Sequence, residues 1–371
     1  MSSQQILMAS EKYTELDEYL KENNHKTVLL VCDNSLPFLK ISKYFESLEE
    51  RIGVKVVKFD NFKPNPLYES VVEGIDLFHA SHCDSIIAVG GGSAMDVAKS
   101  IKLFANMDTS ENYLTQEIAP NDIKFLAVPT TAGTGSESTR YAVIYFDGEK
   151  QSVTSESGIP SAVLFDSSVL KTLPEYQKKA TMMDAFCHAM ESFWSVNSTD
   201  ESREYSKLAI SGVLGNKNAY LSNNDEGNAN MLKASNFAGK AINITQTTAG
   251  HAMCYKLTSL YELAHGHAAA LCLSKLFPYM IRHTEKCIDP RGEEYLETMF
   301  VQLAEAMGCP NAEAAVKKFD DFLGSLSLEI PKATEEDYEI LKTSVNPVRL
   351  KNNPVGLDVE TIEKLYREIL T

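Results

Sequence analysis

The sequence has little that would take it into a membrane or onto a polyanion. Its opening stretch, MSSQQILMASEKYTELDEYL, has no basic cluster followed by an apolar core, so it does not read as a signal peptide. No apolar run approaches the roughly 20 residues needed to span a bilayer. Basic residues are in deficit: 35 Lys and Arg against 51 Asp and Glu leave a formal charge of -16. That balance argues against nonspecific binding to nucleic acid or to an anionic membrane surface, and an anionic substrate would need a local cluster of cations. Cysteine pairs at metal-ligand spacing are also missing. The cysteines (Cys32, Cys83, Cys187, Cys254, Cys272, Cys287, Cys309) are odd in number, scattered and mostly set in apolar runs, the pattern of reduced, buried thiols in a cytoplasm. Internal repeats and low-complexity tracts are absent as well.

What is present is an ordinary globular composition, 44% hydrophobic and 23% charged, in 371 residues. Single cores stop growing near 250 to 300 residues, so this length predicts two domains. After a polar first segment expected to contain a helix, Thr27 to Val31 reads as a buried strand, ending at the turn Cys32-Asp33-Asn34. Helical spacing follows from Leu36 to Arg51, then a second strand from Gly53 to Phe59. Strand, helix, strand at this spacing predicts a parallel sheet with crossovers.

Two loops in this half carry chemistry. In DSIIAVGGGSAMDVAKSIKLF, Ile86 to Val89 is a strand and Gly90 to Gly92 a bend without Cβ atoms. Ser93 is the expected N-cap of a helix through Lys102. Backbone amides that can approach a ligand closely, beside a helix N-terminus, make a pyrophosphate site. Asp96 fits two roles, a capping-box partner of Ser93 or that plus a cofactor contact. In KFLAVPTTAGTGSESTR, a strand from Phe125 to Val128 opens into a hydroxyl-rich loop with Thr130, Thr131 and Thr134. Open α/β sheets bind ligands at such carboxyl ends. A hairpin around Asp147-Gly148 and a last strand, Ser161 to Asp166, complete the α/β part. Beyond Leu173-Pro174 the periodicity is helical, and we divide the chain into residues 1–176 and 177–371.

The helical half holds TMMDAFCHAMESFW, which sets Asp184 and His188 at i and i+4 on one helix face. It also holds AGHAMCYKLTSLYELAHGH, with His251 and His265 fourteen positions apart. A lone histidine in an apolar helix is ordinarily structural. Four ligand-type side chains in two patches, one carboxylate and three imidazoles, form a plausible shell for one divalent metal.

Together, PNP at Pro64–Pro66, GGGSAMDVAK, PTTAGTGSE, DAFCHAMES and the H-x13-H pair ending in HGH resemble the iron-containing, metal-dependent alcohol dehydrogenase family along almost the whole chain. The resemblance implies a dinucleotide-binding α/β domain and an all-α domain, the fold shared with dehydroquinate synthase, with cofactor and metal between them. It puts Asp184, His188, His251 and His265 on the family's metal-ligand positions. Gly91, Gly92, Ser93 and Asp96 fall on its cofactor loop, and Thr130, Thr131 and Thr134 on its second loop. Asp33 resembles the acid that meets the adenosine ribose, and its charge would repel a 2′-phosphate, favouring NAD(H) over NADP(H). The implied metal is Fe2+, with Zn2+, Ni2+ or Co2+ compatible with the same donors, and the implied assembly is a homodimer. Where many relatives have a histidine near the nicotinamide, this chain has Tyr255.

STRYAVIYFDGEKQSV, ESFWSVNST and SVNPVRLKNNP, with the segments around His251 and His265, are most similar to the branch of the family that reduces phosphonoacetaldehyde to 2-hydroxyethylphosphonate. That likeness implies cations for a dianionic head, and Arg140, Lys256, His267 and Lys150 are the candidates. A neutral alcohol or diol is the alternative substrate, and a dehydroquinate synthase-like lyase the alternative reaction.

Overall fold

The computed structural model describes residues 4–370. The chain divides into two compact units: Met1–Thr131 with Gly135–Leu173 and Asn223–Leu232, and Ala132–Thr134 with Pro174–Ser222 and Lys233–Thr371.

The first unit is built on β1 (Gln5–Met8), β2 (Thr27–Cys32), β3 (Lys55–Phe59), β4 (Ser85–Gly90), β5 (Lys124–Pro129) and β8 (Ala162–Phe165), while β6 (Tyr141–Phe146) and β7 (Glu149–Thr154) form a separate hairpin. The six-stranded sheet has the order β1-β8-β5-β4-β2-β3, and every pairing in it is parallel. Continuous apolar runs such as VLLVC in β2 and SIIAVG in β4 are buried on both faces, as a parallel sheet covered on both sides requires. The chain leaves β2 for β3 on one side and returns to β4 on the other, so the strand order reverses between β2 and β4. Register pairs Cys32 with Val89 and Gly90 with Pro129, which levels the carboxyl ends of β2, β4 and β5 at that reversal.

Three expectations change in detail. The first segment opens with β1 before its helix, Thr14–Glu22. The stretch from Leu36 to Arg51 is not one helix but a 3-10 turn at Leu36–Phe38 and two short helices, Ser42–Glu46 and Leu48–Ile52. Pro37, which lacks an N–H, sits in that first turn, and the second helix stops at Gly53 with φ 75°. Ser93 lies inside its helix, Gly92–Phe104; extended Gly91 occupies the cap, and no side chain caps the end. Asp96 therefore cannot be the capping partner of Ser93. Its carboxylate bonds the Val143 backbone and the Ser136 side chain instead.

The second unit is helical, with long helices at Glu175–Trp194, Asp200–Leu221, Ala249–Tyr261 and His265–Arg282. Glu175–Trp194 is buried without a break from Met182 to Trp194, which makes it a central helix rather than an amphipathic surface one. Gly266 shows how closely its neighbour approaches: a Cβ there would collide with the Ala180 carbonyl and with Asp184. No helix of the described residues is long and apolar enough to cross a membrane.

Candidate metal centre

Asp184 and His188 project from one face of the Glu175–Trp194 helix, and His251 meets them from the first turn of Ala249–Tyr261. All three are buried, and their ligand atoms lie within 4.8 Å of one another. His251 Nε2 is 3.3 Å from Asp184 Oδ1, His188 Nε2 is 3.9 Å from the same oxygen, and the two imidazoles stack at 4.3 Å. Burial alone would push the Asp184 carboxyl up. The charge of His188, the hydrogen bond from His251 and the charge of His265 outweigh it and hold the group below the ordinary carboxylate range.

Behind His251 stands Glu191, fully buried and not singled out from the sequence. Its carboxylate accepts from Thr248 N at 3.2 Å, Thr248 Oγ1 at 2.7 Å and His251 N at 3.1 Å, and also from His251 Nδ1. An ionised carboxylate can only accept, so Nδ1 carries a proton toward Glu191, and Nε2, on the Asp184 side, is the nitrogen left to ligate a metal once its own proton leaves. That is the carboxylate–histidine arrangement that orients metal-ligating imidazoles. The signal was available: Glu191 is i+7 from Asp184, on the same helix face. One buried carboxylate and two imidazoles, one of them locked in the ligating tautomer, fit a divalent metal such as Fe2+, Zn2+, Ni2+ or Co2+.

His265, at the start of His265–Arg282, stands beside this cluster. Its ring lies 5.3 Å from that of His251 and 5.3 Å from that of Tyr255, and Cys254 Sγ is 3.6 Å from its Nδ1. His267 is buried, with Nδ1 3.1 Å from Tyr176 Oη, a hydroxyl that also accepts from Ala264 N at 2.9 Å. Lys256 is partly exposed on the Ala249–Tyr261 helix. Arg140 belongs to the first unit, where it pairs with Glu156 at 2.7 Å and bonds the Tyr141 hydroxyl.

In the first unit the levelled strand ends gather the residues expected to bind a cofactor. A Cβ on Gly90 would sit 3.0 Å from Asp33 Oδ2, and one on Gly91 would sit 3.3 Å from Thr131 Cγ2. Asp33, the glycine bend and Thr131 therefore share one patch, and the missing Cβ of Gly91 leaves backbone open beside a hydroxyl, which suits a pyrophosphate. Thr130 is buried and donates its N–H to Gly90 O at 3.0 Å. Ser93 and Asp96 follow in the helix, whereas Thr134 lies in the second unit. Lys99, also passed over in the sequence, is fully buried and donates to Ser136 Oγ, Thr139 Oγ1 and Tyr141 O at 3.0, 3.1 and 2.7 Å.

A family model described as iron-containing alcohol dehydrogenase matches residues 3–167, and the C-terminal model of the same family matches residues 178–370. The chain belongs to the iron-containing alcohol dehydrogenase family. It is accordingly an oxidoreductase of the aldehyde/alcohol type, with the α/β and helical fold of that family. It is 30% identical over 306 residues to phosphonoacetaldehyde reductase of Streptomyces viridochromogenes, covering 78% of this chain and 77% of the relative. It is 34% identical over 274 residues to 1,3-propanediol dehydrogenase of Citrobacter freundii, covering 71% and 70%. Among solved structures, an alcohol dehydrogenase of Oenococcus oeni matches with a TM-score of 0.86 at 27% identity, covering 99% of this chain and 98% of that one. The NAD+ complex of a sulfoacetaldehyde reductase from Bifidobacterium kashiwanohense shares the fold, with a TM-score of 0.86 at 24% identity over 99% and 97%.

Proposed function

We propose that the chain is a metal-dependent, NAD(H)-linked reductase of a small aldehyde, with phosphonoacetaldehyde as substrate and 2-hydroxyethylphosphonate as product. The observation that carries this reading is the buried Asp184–His188–His251 cluster with Glu191 fixing the tautomer of His251. We assign the metal to Asp184, His188, His251 and His265, and favour iron. When bound, the metal supplies Lewis acidity toward a carbonyl oxygen, and NADH supplies the hydride.

The protein's own groups do the rest. Glu191 keeps Nε2 of His251 turned toward Asp184, so the donor set is preorganised before a metal arrives. The glycine bend of Gly90 to Gly92 and the Gly92–Phe104 helix N-terminus take the pyrophosphate, with Ser93, Asp96, Thr130, Thr131 and Thr134 around the dinucleotide. Asp33 takes the ribose hydroxyls and repels a 2′-phosphate, so NAD(H) is preferred. The proton of the new hydroxyl comes from solvent or a ribose hydroxyl, since Tyr255 replaces the histidine of many relatives. Arg140, Lys256 and His267 are candidate cations for the anionic head. On the family resemblance the enzyme is a homodimer. The burial of five of its cysteines agrees with a reducing, cytoplasmic setting.

The test is NADH absorbance with phosphonoacetaldehyde against acetaldehyde, in iron-loaded and chelated enzyme. A higher kcat/KM for the phosphonate, lost on chelation, supports the reading; equal values with both aldehydes would remove the assigned substrate. The likeness to a 1,3-propanediol dehydrogenase favours a second reading, a neutral diol, which the same assay run in the oxidative direction would reveal. A lyase would consume no NADH.

A further inference from the structure

The guanidinium best placed to meet an anion belongs to Arg349. Arg349 sits on the short helix Pro347–Leu350. Its Nη1 donates to Tyr255 Oη at 2.8 Å, and its guanidinium carbon lies 4.8 Å from the centre of the Tyr255 ring. His265 also neighbours this tyrosine: its ring is 5.3 Å from that of Tyr255 and 5.3 Å from that of His251. Tyr255 thus contacts Arg349 and neighbours His265, the histidine beside the metal-centre His251.

The remaining arginines are committed. Arg51, Arg140, Arg203, Arg291 and Arg367 pair with Asp17, Glu156, Asp200, Asp289 and Glu335, and Arg282 donates to the Pro278 carbonyl at the end of its own helix. Among the described residues Arg349 has no carboxylate partner, and its bond to Tyr255 uses one of the five N–H donors a guanidinium offers. The residue is only partly buried, so a soluble anion can reach a fork that no carboxylate occupies. Its position is also fixed rather than adventitious. Asn346 caps the short helix by accepting from Val348 N at 2.9 Å. Just beyond the helix, Asn352 donates to Gln246 Oε1 at 3.0 Å, and its carbonyl accepts from Val196 N at 3.1 Å.

We infer that Arg349, steadied by Tyr255, is the specificity-determining residue that selects short aldehydes ending in a tetrahedral oxyanion. This inference rests on the proposed aldehyde reduction and names its substrate class. A planar fork with two parallel N–H donors matches a phosphonate or a sulfonate edge, and no comparable partner exists for a neutral tail. Tyr255 then has a part different from the histidine it replaces, as the platform that aims the fork.

The test uses the full-length, iron-loaded enzyme with NADH and three aldehydes: phosphonoacetaldehyde, sulfoacetaldehyde and propanal. The readout is the ratio of kcat/KM for each anionic aldehyde to that for propanal. Arg349→Met should lower the ratio about 100-fold, chiefly through KM, and Arg349→Lys, which keeps the charge but loses the fork, about 10-fold. The wild-type ratios for the dianionic and monoanionic heads identify which is preferred. Competitive inhibition by methylphosphonate should weaken in the same order. It also keeps the inference open to refutation through Arg349→Lys should Arg349→Met fail to fold. Ratios unchanged in both variants, or a wild-type enzyme that reduces propanal and refuses both anions, would overturn the inference while leaving aldehyde reduction standing. A wild-type enzyme that reduces none of the three overturns the proposed function, and the inference with it.

Discussion

His251 and Glu191 form a buried pair in which the imidazole Nδ1–H donates to the carboxylate, leaving Nε2 3.3 Å from Asp184 Oδ1. The carboxylate is in turn held by the Thr248 amide and hydroxyl and the His251 amide. Glu191 touches the ligand from behind and so acts by positioning it.

Glu191→Gln keeps the shape and removes the charge. It should weaken divalent-metal affinity about 10- to 100-fold, read by competition with a chromophoric chelator, with little change in helical content. An unchanged affinity would reduce Glu191 to a packing group.

Lys102 offers a separate pH test. It is 5% exposed, donates to Asn121 Oδ1 at 3.2 Å, and burial pushes its ammonium down to about 8. Burial penalises the charged form, so above pH 8 the folded chain releases a proton that the unfolded chain still holds. Unfolding then takes up a proton, and stability rises with pH from about 8 toward the ordinary lysine value. Urea unfolding at pH 7 and 9.5 should show wild type gaining about 2 kcal/mol relative to Lys102→Met. Parallel pH profiles would contradict this.

At the end of β2, Asp33 accepts from Ser35 N at 2.8 Å and lies against Gly90. If it repels a 2′-phosphate, Asp33→Ala should raise the NADPH-to-NADH ratio of kcat/KM by about 10-fold or more. A wild-type enzyme that already prefers NADPH would refute the assignment.

Much of this was legible in the sequence because the signals are local. Unbroken apolar runs such as VLLVC and SIIAVG can be little other than strands of a covered sheet, and Asp184 with His188 at i, i+4 must share a helix face. What escaped depends on distant partners. Ser93 has the chemistry of an N-cap, yet the extended Gly91 takes that place. The stretch after Leu36 has helical spacing, but it winds first as a 3-10 turn at Leu36–Phe38 and becomes α-helical only from Ser42. Glu191, Lys99 and Arg349 look like ordinary charges in a linear reading; only tertiary contacts with His251, Ser136 and Tyr255 give them parts.

The most direct measurement is the iron content per chain, determined on wild type and His251→Ala loaded identically, alongside NADH-dependent aldehyde reduction. The account predicts about one metal per wild-type chain, its loss from His251→Ala, and a fall in rate of at least about 100-fold when the metal goes. A His251→Ala enzyme with the same metal content and the same rate would contradict it.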